Sequence, residues 1–372
     1  MTPTVADIIL LLEKIAPPHL AESWDNCGLQ VGRRNWPVMH IRTALDPLPT
    51  VVSDAVESGV NLLVTHHPLI FKPVKQIDFG REPGRTIRRA AESRLALYAA
   101  HTSLDTAPGG LNDILAGLIG IEAPVPLVKG SGEGPCKLAV FVPVAHVKTV
   151  IDVLAGAGAG RIGNYSGCTF RTQGQGTFIP GPDTDPYTGI RGRMNEAAEF
   201  RIETVVAAAD LEKVVAAVQA VHPYESMAYD VYPVADLVQQ GLGRVGVLQA
   251  EMTLDAFASH VSQSLGCPGG IRVVGDPNRE VRKAAVCTGS GSSLTGDFLA
   301  SGADVYVSGD MHYHDARAIE DAGRGLVDIG HFASEQIMVK AVADLLRRQV
   351  EEAGYNTTVS TSEVEKDPFR NI

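Results

Sequence analysis

The chain has 372 residues, 45% hydrophobic and 20% charged, with a formal net charge of −11. That length suits two or three domains with sizeable cores, and the acidic balance argues against an extended nucleic-acid surface, which would need a basic stripe. A small anionic substrate stays open, because bound cations would reverse the local field.

Five cysteines (Cys27, Cys136, Cys168, Cys267 and Cys287) are scattered with no CxxC pair, which reads as reduced thiols in a cytosolic protein. Residues 6–14 are acidic and amphipathic, without the basic region and cleavage site of a signal peptide. No apolar run reaches the roughly 20 residues of a bilayer span. The expectation is a cytoplasmic protein with no membrane partner.

Along the chain a weak internal repeat stands out. Ser58-Gly59-Val60-Asn61-Leu62-Leu63-Val64 runs into Thr65-His66-His67 as a short buried strand after a helix-ending glycine. Residues 85–93 read as a helix, and Leu95-Ala96-Leu97-Tyr98-Ala99-Ala100 leads to His101-Thr102-Ser103-Leu104-Asp105. The glycine-rich run Gly130-Ser131-Gly132-Glu133-Gly134 then opens a different segment. It predicts a strand at 137–142, a helix at 145–155, strands at 167–178 and 196–207, a helix at 210–221 and a strand at 227–232. That β-α-β-β-α-β order is ferredoxin-like. The repeat resumes as Ser301-Gly302-Ala303-Asp304-Val305-Tyr306-Val307 enters Ser308-Gly309-Asp310. A helix over 315–322 follows, then Gly325-Leu326-Val327-Asp328-Ile329-Gly330 delivers His331-Phe332-Ala333-Ser334-Glu335.

The expected fold class is α/β: a two-lobed core of two repeat-related halves with mixed sheets (residues 1–129 and 239–372), and an inserted ferredoxin-like α+β domain over 130–238. Both halves place polar residues at the carboxyl ends of strands, where α/β sheets gather ligands.

His66, His67, His101, Asp105, His331 and Glu335 form a mixed nitrogen and oxygen donor set that suits Zn, Fe, Mn or Co. Six side chains are too many for one tetrahedral ion, whereas two divalent ions roughly 3.5–4 Å apart would use them well. His66 and His67 point to opposite faces of a regular strand, so both can ligate only from the loop that begins there, and Pro68 helps to end the strand. A His-His pair or a His-x-x-x-Glu alone is readily incidental; three such groups at strand ends are not.

Asp310, His312, His314 and Asp315 lie at the strand end that mirrors His66-His67. They read either as orienting or proton-transfer groups, with His314 and Asp310 the candidate catalytic pair, or as solvated helix caps. Trp24-Asp25-Asn26-Cys27-Gly28 lines a pocket or forms an aromatic turn. Thr288-Gly289-Ser290-Gly291-Ser292-Ser293 is either a plain turn or a phosphate cradle, with Gly289 and Ser290 as the contacts. Gly241-Leu242-Gly243-Arg244-Val245-Gly246 matches GxGxxG but is followed by a strand-like run, so it is set aside as a dinucleotide fingerprint. His222-Pro223-Tyr224-Glu225 and Gly163-Asn164-Tyr165 are polar–aromatic clusters of the insert that face the metal mouth or pack a subunit contact.

Four segments together resemble the signatures of the GTP cyclohydrolase I type 2 homologue (NIF-three-like) family: Thr65-His66-His67-Pro68-Leu69-Ile70-Phe71, His101 to Asp105, Ser308-Gly309-Asp310-Met311-His312-Tyr313-His314, and Gly330 to Glu335. Trp24-Asp25-Asn26-Cys27-Gly28-Leu29 is similar to its N-terminal motif. The insert resembles the PII/CutA-like domain of the family's longer bacterial members, through residues 163–170 and His222 to Glu225. It departs at Ser226-Met227-Ala228-Tyr229, where the family has Glu-Pro-Ala-Tyr. The resemblance implies a di-metal site at the six residues above, a ring-shaped homohexamer, and ring opening of GTP by metal-bound hydroxide. The leading expectation is a metal-dependent hydrolase acting on a small molecule such as a nucleotide. The alternative is a non-catalytic metal-binding, regulatory or metal-handling assembly.

Overall fold

The computed structural model describes residues 1–129, 135–163, 165–234, 240–267 and 270–370. The glycine run at 130–134, Asn164 and the expected boundary near 238 lie outside the described residues. The chain divides into two units, Met1–Ser131 with Val238–Ile372, and Gly132–Leu237.

The first unit opens with α1 (Val5–Ile15). Thr4 and Asp7 close a capping box at its start, so the first free N–H groups are satisfied. Then come β1 (Gly28–Val31), β2 (His40–Ala44), α2 (Pro49–Glu57), β3 (Leu62–Thr65), α3 (Gly84–Glu92), β4 (Ala96–Ala99), α4 (Thr102–Thr106), α5 (Leu111–Leu118) and β5 (Ile121–Lys129). The second unit holds β6 (Cys136–Pro143), α6 (Val147–Gly156), β7 (Thr169–Phe178), β8 (Asn195–Val206), α7 (Leu211–Gln219) and β9 (Tyr229–Pro233). Its sheet runs β7-β8-β6-β9 with antiparallel neighbours. Val150 and Leu154 of α6 and Val214 and Val218 of α7 pack on Leu138, Val140 and Ile202.

The chain returns to the first unit with β10 (Gly241–Thr253), α8 (Leu254–Leu265), β11 (Arg272–Val274), β12 (Glu280–Ser290), α9 (Thr295–Ser301), β13 (Val305–Gly309), α10 (Tyr313–Asp321), β14 (Gly325–Asp328), α11 (His331–Glu335), α12 (Ile337–Glu352) and β15 (Thr358–Thr361). The fold is mixed α/β. One sheet is ordered β1-β4-β3-β2-β15 and the other β11-β14-β13-β12-β10-β5. Strands β2, β3 and β4 are parallel, as are β12, β13 and β14, and β1 and β11 each add antiparallel to the last of them. The order β1-β4-β3-β2 thus recurs as β11-β14-β13-β12. Strands β3, β4, β13 and β14 are buried throughout, which is why each reads as an unbroken apolar run.

Each half lends its last helix and strand to the other. Strand β15 pairs parallel with β2, and Met338, Val342 and Leu346 of α12 share a core with Ile8, Ile41 and Val64. Reciprocally, β5 pairs with β10, and Leu115 of α5 and Ile119 just past its end share a core with Phe257, Val286 and Val307. Arg244 fastens this exchange from a fully buried position. Its Nε and Nη2 donate to Asp113 of α5 at 2.6 and 2.8 Å, and the carbonyls of Gly241, Gly243 and Ala107 accept the rest. A buried guanidinium is tolerated only when its donors are satisfied in this way. Neither core is complete without residues from both halves.

Candidate metal centre

Strand β3 stops at Thr65, and the next two N–H groups, of His66 and His67, both donate to Leu45 O at 3.2 and 3.0 Å. Consecutive N–H groups reaching one carbonyl cannot belong to an extended strand, whose amides alternate. The turn that results brings the two rings within 5.1 Å of each other, with His101 5.1 Å from His66 and 5.5 Å from His67. His331 stands 5.4 Å from His67. All six side chains expected as a donor set are thus brought together.

Each imidazole is fixed through Nδ1. His66 bonds Ala100 O at 3.0 Å, His67 bonds Asp46 Oδ1 at 2.8 Å, His101 bonds Asp25 Oδ1 at 2.9 Å and His331 bonds Asp310 Oδ2 at 2.9 Å. An acceptor at Nδ1 puts the proton there and leaves Nε2 with its lone pair, as a metal requires. The Nε2 atoms converge on two carboxylates. His67 and His331 come within 3.0 and 2.9 Å of Glu335 Oε2, and His66 lies 3.5 Å from Glu335 Oε1 and 3.8 Å from Asp105 Oδ2. Two groups of three donors, His66/His67/His101 and His67/His331/Glu335, each lie within 4.8 Å of one another and share His67.

Two buried atoms test whether a cation fits. His66 is fully buried, and its Nε2 has no hydrogen-bond partner; Glu335 Oε2, despite its short approaches, has no aligned one. Orphaned polar atoms are costly in a protein interior, and a divalent ion would satisfy both. Among the described residues, no lysine or arginine lines the cavity beside His101 and Glu335, and Arg272, which lines a second cavity beside His67 and His331, is paired with Asp328. The residues fit the group.

The electrostatics agree. Burial opposes a charged imidazole at His67, but Asp46 and Glu335 outweigh it and its pKa rises to about 10. At His331 the Glu335 carboxylate leads, and the pKa rises to about 9. His66 is raised too, with Asp105 and Glu335 overcoming its burial. Burial would raise Glu335, yet the surrounding imidazoles hold it well below the usual carboxylate range. Burial wins at Asp105, whose pKa is raised. The metal-free cluster therefore gathers protons on its imidazoles where a cation would otherwise sit.

The two half-sites are not copies. Strands β3 and β4 end their pairing at Thr65↔Ala99, and β13 and β14 at Ser308↔Asp328. His101 stands two positions past Ala99 and caps α4, whereas His331 stands three past Asp328 and is the first residue of α11. The strand ends β4 and β14 are equivalent, but the two His-x-x-x-acid strings that follow them are offset by one residue. The counterpart of His101 is Gly330, and that of His331 is Thr102.

The other candidates divide. Asp310 holds His331 and is half exposed. His314 is exposed on α10, its ring against Tyr313, and His312 pairs with Asp315 at 3.4 Å. The N–H of Gly289, expected at a phosphate, instead donates to Ser334 Oγ at 2.8 Å. Glycine is needed here for another reason: its φ is +64°, and a Cβ would lie 2.3 Å from Glu335 Oε1. Thr288 Oγ1 donates to Asp105 Oδ1 at 3.1 Å, so this end of β12 serves the carboxylates. Gly289 and Ser290 line a cavity of about 490 Å3 with Trp24, Phe71, His101 and Glu335.

Residues 3–368 match the profile of the Duf34/NIF3 (NGG1p interacting factor 3) family. The chain belongs to that family. It is 41% identical over 366 residues to a protein of Halalkalibacterium halodurans named GTP cyclohydrolase 1 type 2 homolog, covering 98% of each chain. A Bacillus subtilis protein of the same name is 39% identical over 363 residues, with 97% of each chain covered. Among solved structures, a Bacillus cereus protein related to NIF3 superposes with a TM-score of 0.78 at 41% identity, and a Staphylococcus aureus protein with 0.82 at 30%; both cover 100% of each chain.

Sequence reasoning missed Asp46 and gave Asp25 no role. Burial would raise Asp25, but His101, Cys27 and Thr102 hold its carboxyl below the usual range. Glu365, near the C-terminal end, accepts the N–H groups of Leu45 and Asp46 and so steadies the turn that presents Asp46. One signal was available for Asp46: it stands two residues past the end of β2, at a strand end like the donors themselves. Among the described residues, no helix is long and apolar enough to cross a membrane.

Proposed function

We propose that this protein holds two divalent ions between His66, His67, His101, Asp105, His331 and Glu335, and is a metal-dependent hydrolase. The observation that carries the reading is the convergence of imidazole Nε2 atoms and two carboxylates on a buried point where His66 Nε2 has no protein partner. A pair of ions would supply Lewis acidity and make water nucleophilic near neutral pH. Asp25, Asp46 and Asp310 keep the rings aimed, and Trp24 and Phe71 stand edge-on to His101 in the cavity wall. The relatives' name, GTP cyclohydrolase 1 type 2 homolog, makes a purine nucleotide the first substrate to try, with ring opening as the reaction. With Gly289 N–H committed, Ser290 is the contact for a phosphate, and Asp310 is a positioning group before it is a proton shuttle.

The second reading is a non-catalytic metal-binding or regulatory assembly. It is favoured by the placement of the expected catalytic residues: Asp310 is tied to His331, and His314 lines neither cavity beside the cluster.

In this reading the core comprises residues 1–129 and 239–372, and the unit between is a ferredoxin-like, PII/CutA-like domain, supported by its β-α-β-β-α-β order. The assembly is a homohexamer and the compartment the cytoplasm, where the five unpaired cysteines stay reduced. Metal-reconstituted protein and His66→Ala/His67→Ala protein, incubated with GTP, phosphoesters and N-heterocycles, decide between the readings. Turnover in the first and none in the second supports the hydrolase. Equal turnover overturns it, and metal uptake without turnover of any substrate leaves the second reading.

A further inference from the structure

The Gly132–Leu237 unit has a cavity of its own, about 460 Å3, in the size range of small-ligand sites. Its walls include Phe141, Phe178, Tyr187 and Tyr224, and its charged residues are Glu199 and Glu225; none of the lining residues is basic. Glu225 is spent on the backbone, since its Oε2 accepts from Asp185 N at 2.9 Å.

Glu199 differs. Its residue is 8% exposed, and one donor reaches it, Tyr224 Oη at 2.6 Å on Oε1. Its Oε2 is kept open by Gly176, where a Cβ would lie only 2.5 Å from that oxygen. Nearby His222 cannot supply a positive charge. Its Nε2 bonds Phe141 O at 3.0 Å and its Nδ1 accepts from Tyr224 N at 3.2 Å, a pattern that only the neutral ring makes. Burial holds its pKa below the ordinary value as well.

A buried carboxylate with one donor is incompletely satisfied, and it faces a space flanked by aromatic rings, with the Tyr187 and Tyr224 centroids 5.9 Å apart. Ring faces attract cations. A bare metal ion is a poor match, because one carboxylate and one phenol are too few hard oxygen donors. A neutral apolar molecule would leave Glu199 Oε2 as it is.

We propose that this cavity binds a small organic ammonium ion on an apolar chain, with Glu199 Oε2 accepting its N–H and Tyr187 and Tyr224 flanking the charge. The site shares no residue with the metal cluster and is independent of its reading.

Ligand-observed NMR titration of the full chain with n-butylammonium, n-butanol and n-butyrate tests it. Butylammonium binds about tenfold to hundredfold more tightly than butanol, as a charge-assisted hydrogen bond implies, and butyrate does not bind. Glu199→Gln abolishes the preference. Tyr187→Ala, at a half-exposed rim position that leaves the fold intact, weakens butylammonium about two- to fivefold. Metal content stays unchanged in both variants. Equal affinity for butanol and butylammonium, no binding of butylammonium, or a preference that survives Glu199→Gln each overturns the proposal.

Discussion

The two halves of the core share a strand order yet divide the work at their strand ends unequally. Two positions past the end of the β3 ladder stands His67; two past the end of the β13 ladder stands Asp310, which holds the ring of His331. Thr102, the counterpart of His331, instead receives Asp25 at its N–H. A repeated fold therefore supplies equivalent backbone positions, and the side chains placed there need not repeat their roles. The outcome is lopsided: the first half brings three imidazoles and Asp105, the second brings one imidazole and Glu335. The carboxylate of the poorer half does the joining, since Glu335 is approached by His66 and His67 from the first half and His331 from its own.

The largest expected effect follows from that asymmetry. Glu335→Gln removes the carboxylate that His66, His67 and His331 all approach, so bound metal falls from about two ions per subunit to near zero. Asp105 has one imidazole within reach, His66 at 3.8 Å, so Asp105→Asn leaves about one ion. Elemental analysis of purified, folded variants reads both numbers. Equal losses would show that the halves contribute alike and sink the comparison.

Protonation sharpens it next. His67 and His331, one from each half, have pKa values of about 10 and about 9 in the metal-free cluster, above the ordinary 6.5. Metal binding needs neutral rings, so at pH 8 uptake expels about two protons from these two rings alone, and apparent affinity climbs with pH until about 9 to 10 before levelling. The sign for stability is the reverse. A raised histidine pKa stabilises the metal-free fold below about pH 6.5, and that contribution is lost as pH passes 9 to 10. The metal-free protein accordingly melts lower at pH 10 than at pH 7, and the loaded protein is spared this loss. Calorimetric titrations in buffers of different ionisation heat count the protons; a count of zero at pH 8 contradicts the scheme.

Much of this was legible in the sequence, and the reasons are physical. Strands β3, β4, β13 and β14 are buried throughout, so they stand out as apolar runs, and the histidine donors stand within three residues of the ends of β3, β4 and β14. The antiparallel edge strands and the exchange of α5–β5 with α12–β15 left no such mark, because which sheet a terminal strand joins depends on contacts far apart in sequence. The one-residue offset between His101 and His331 was hidden for a related reason. Both sit in His-x-x-x-acid strings, and only the ladder register, with Ala99 and Asp328 as its last pairs, separates them. Asp46 and Asp25 act across the fold on rings 21 and 76 residues away. Gly289 looked like a phosphate loop because glycine serves any close approach, and here the approaching group is the protein's own carboxylate.

The smallest effects lie among the aspartates that aim the rings, and they follow burial. The Asp25 side chain is fully buried and accepts from His101 Nδ1, Thr102 N, Thr102 Oγ1 and Cys27 Sγ. An amide there would point its NH2 at groups that are themselves donors, so Asp25→Asn lowers metal affinity about a hundredfold. The Asp310 side chain is 51% exposed and holds His331 alone. Water can take its place, and Asn Oδ1 can still accept from Nδ1, so Asp310→Asn costs about tenfold or less. Competition with a metal-sensitive dye measures both. If Asp310→Asn proved as damaging as Asp25→Asn with the fold intact, Asp310 would be acting on more than the ring of His331, and the second half would carry a larger share of the site than its contacts imply.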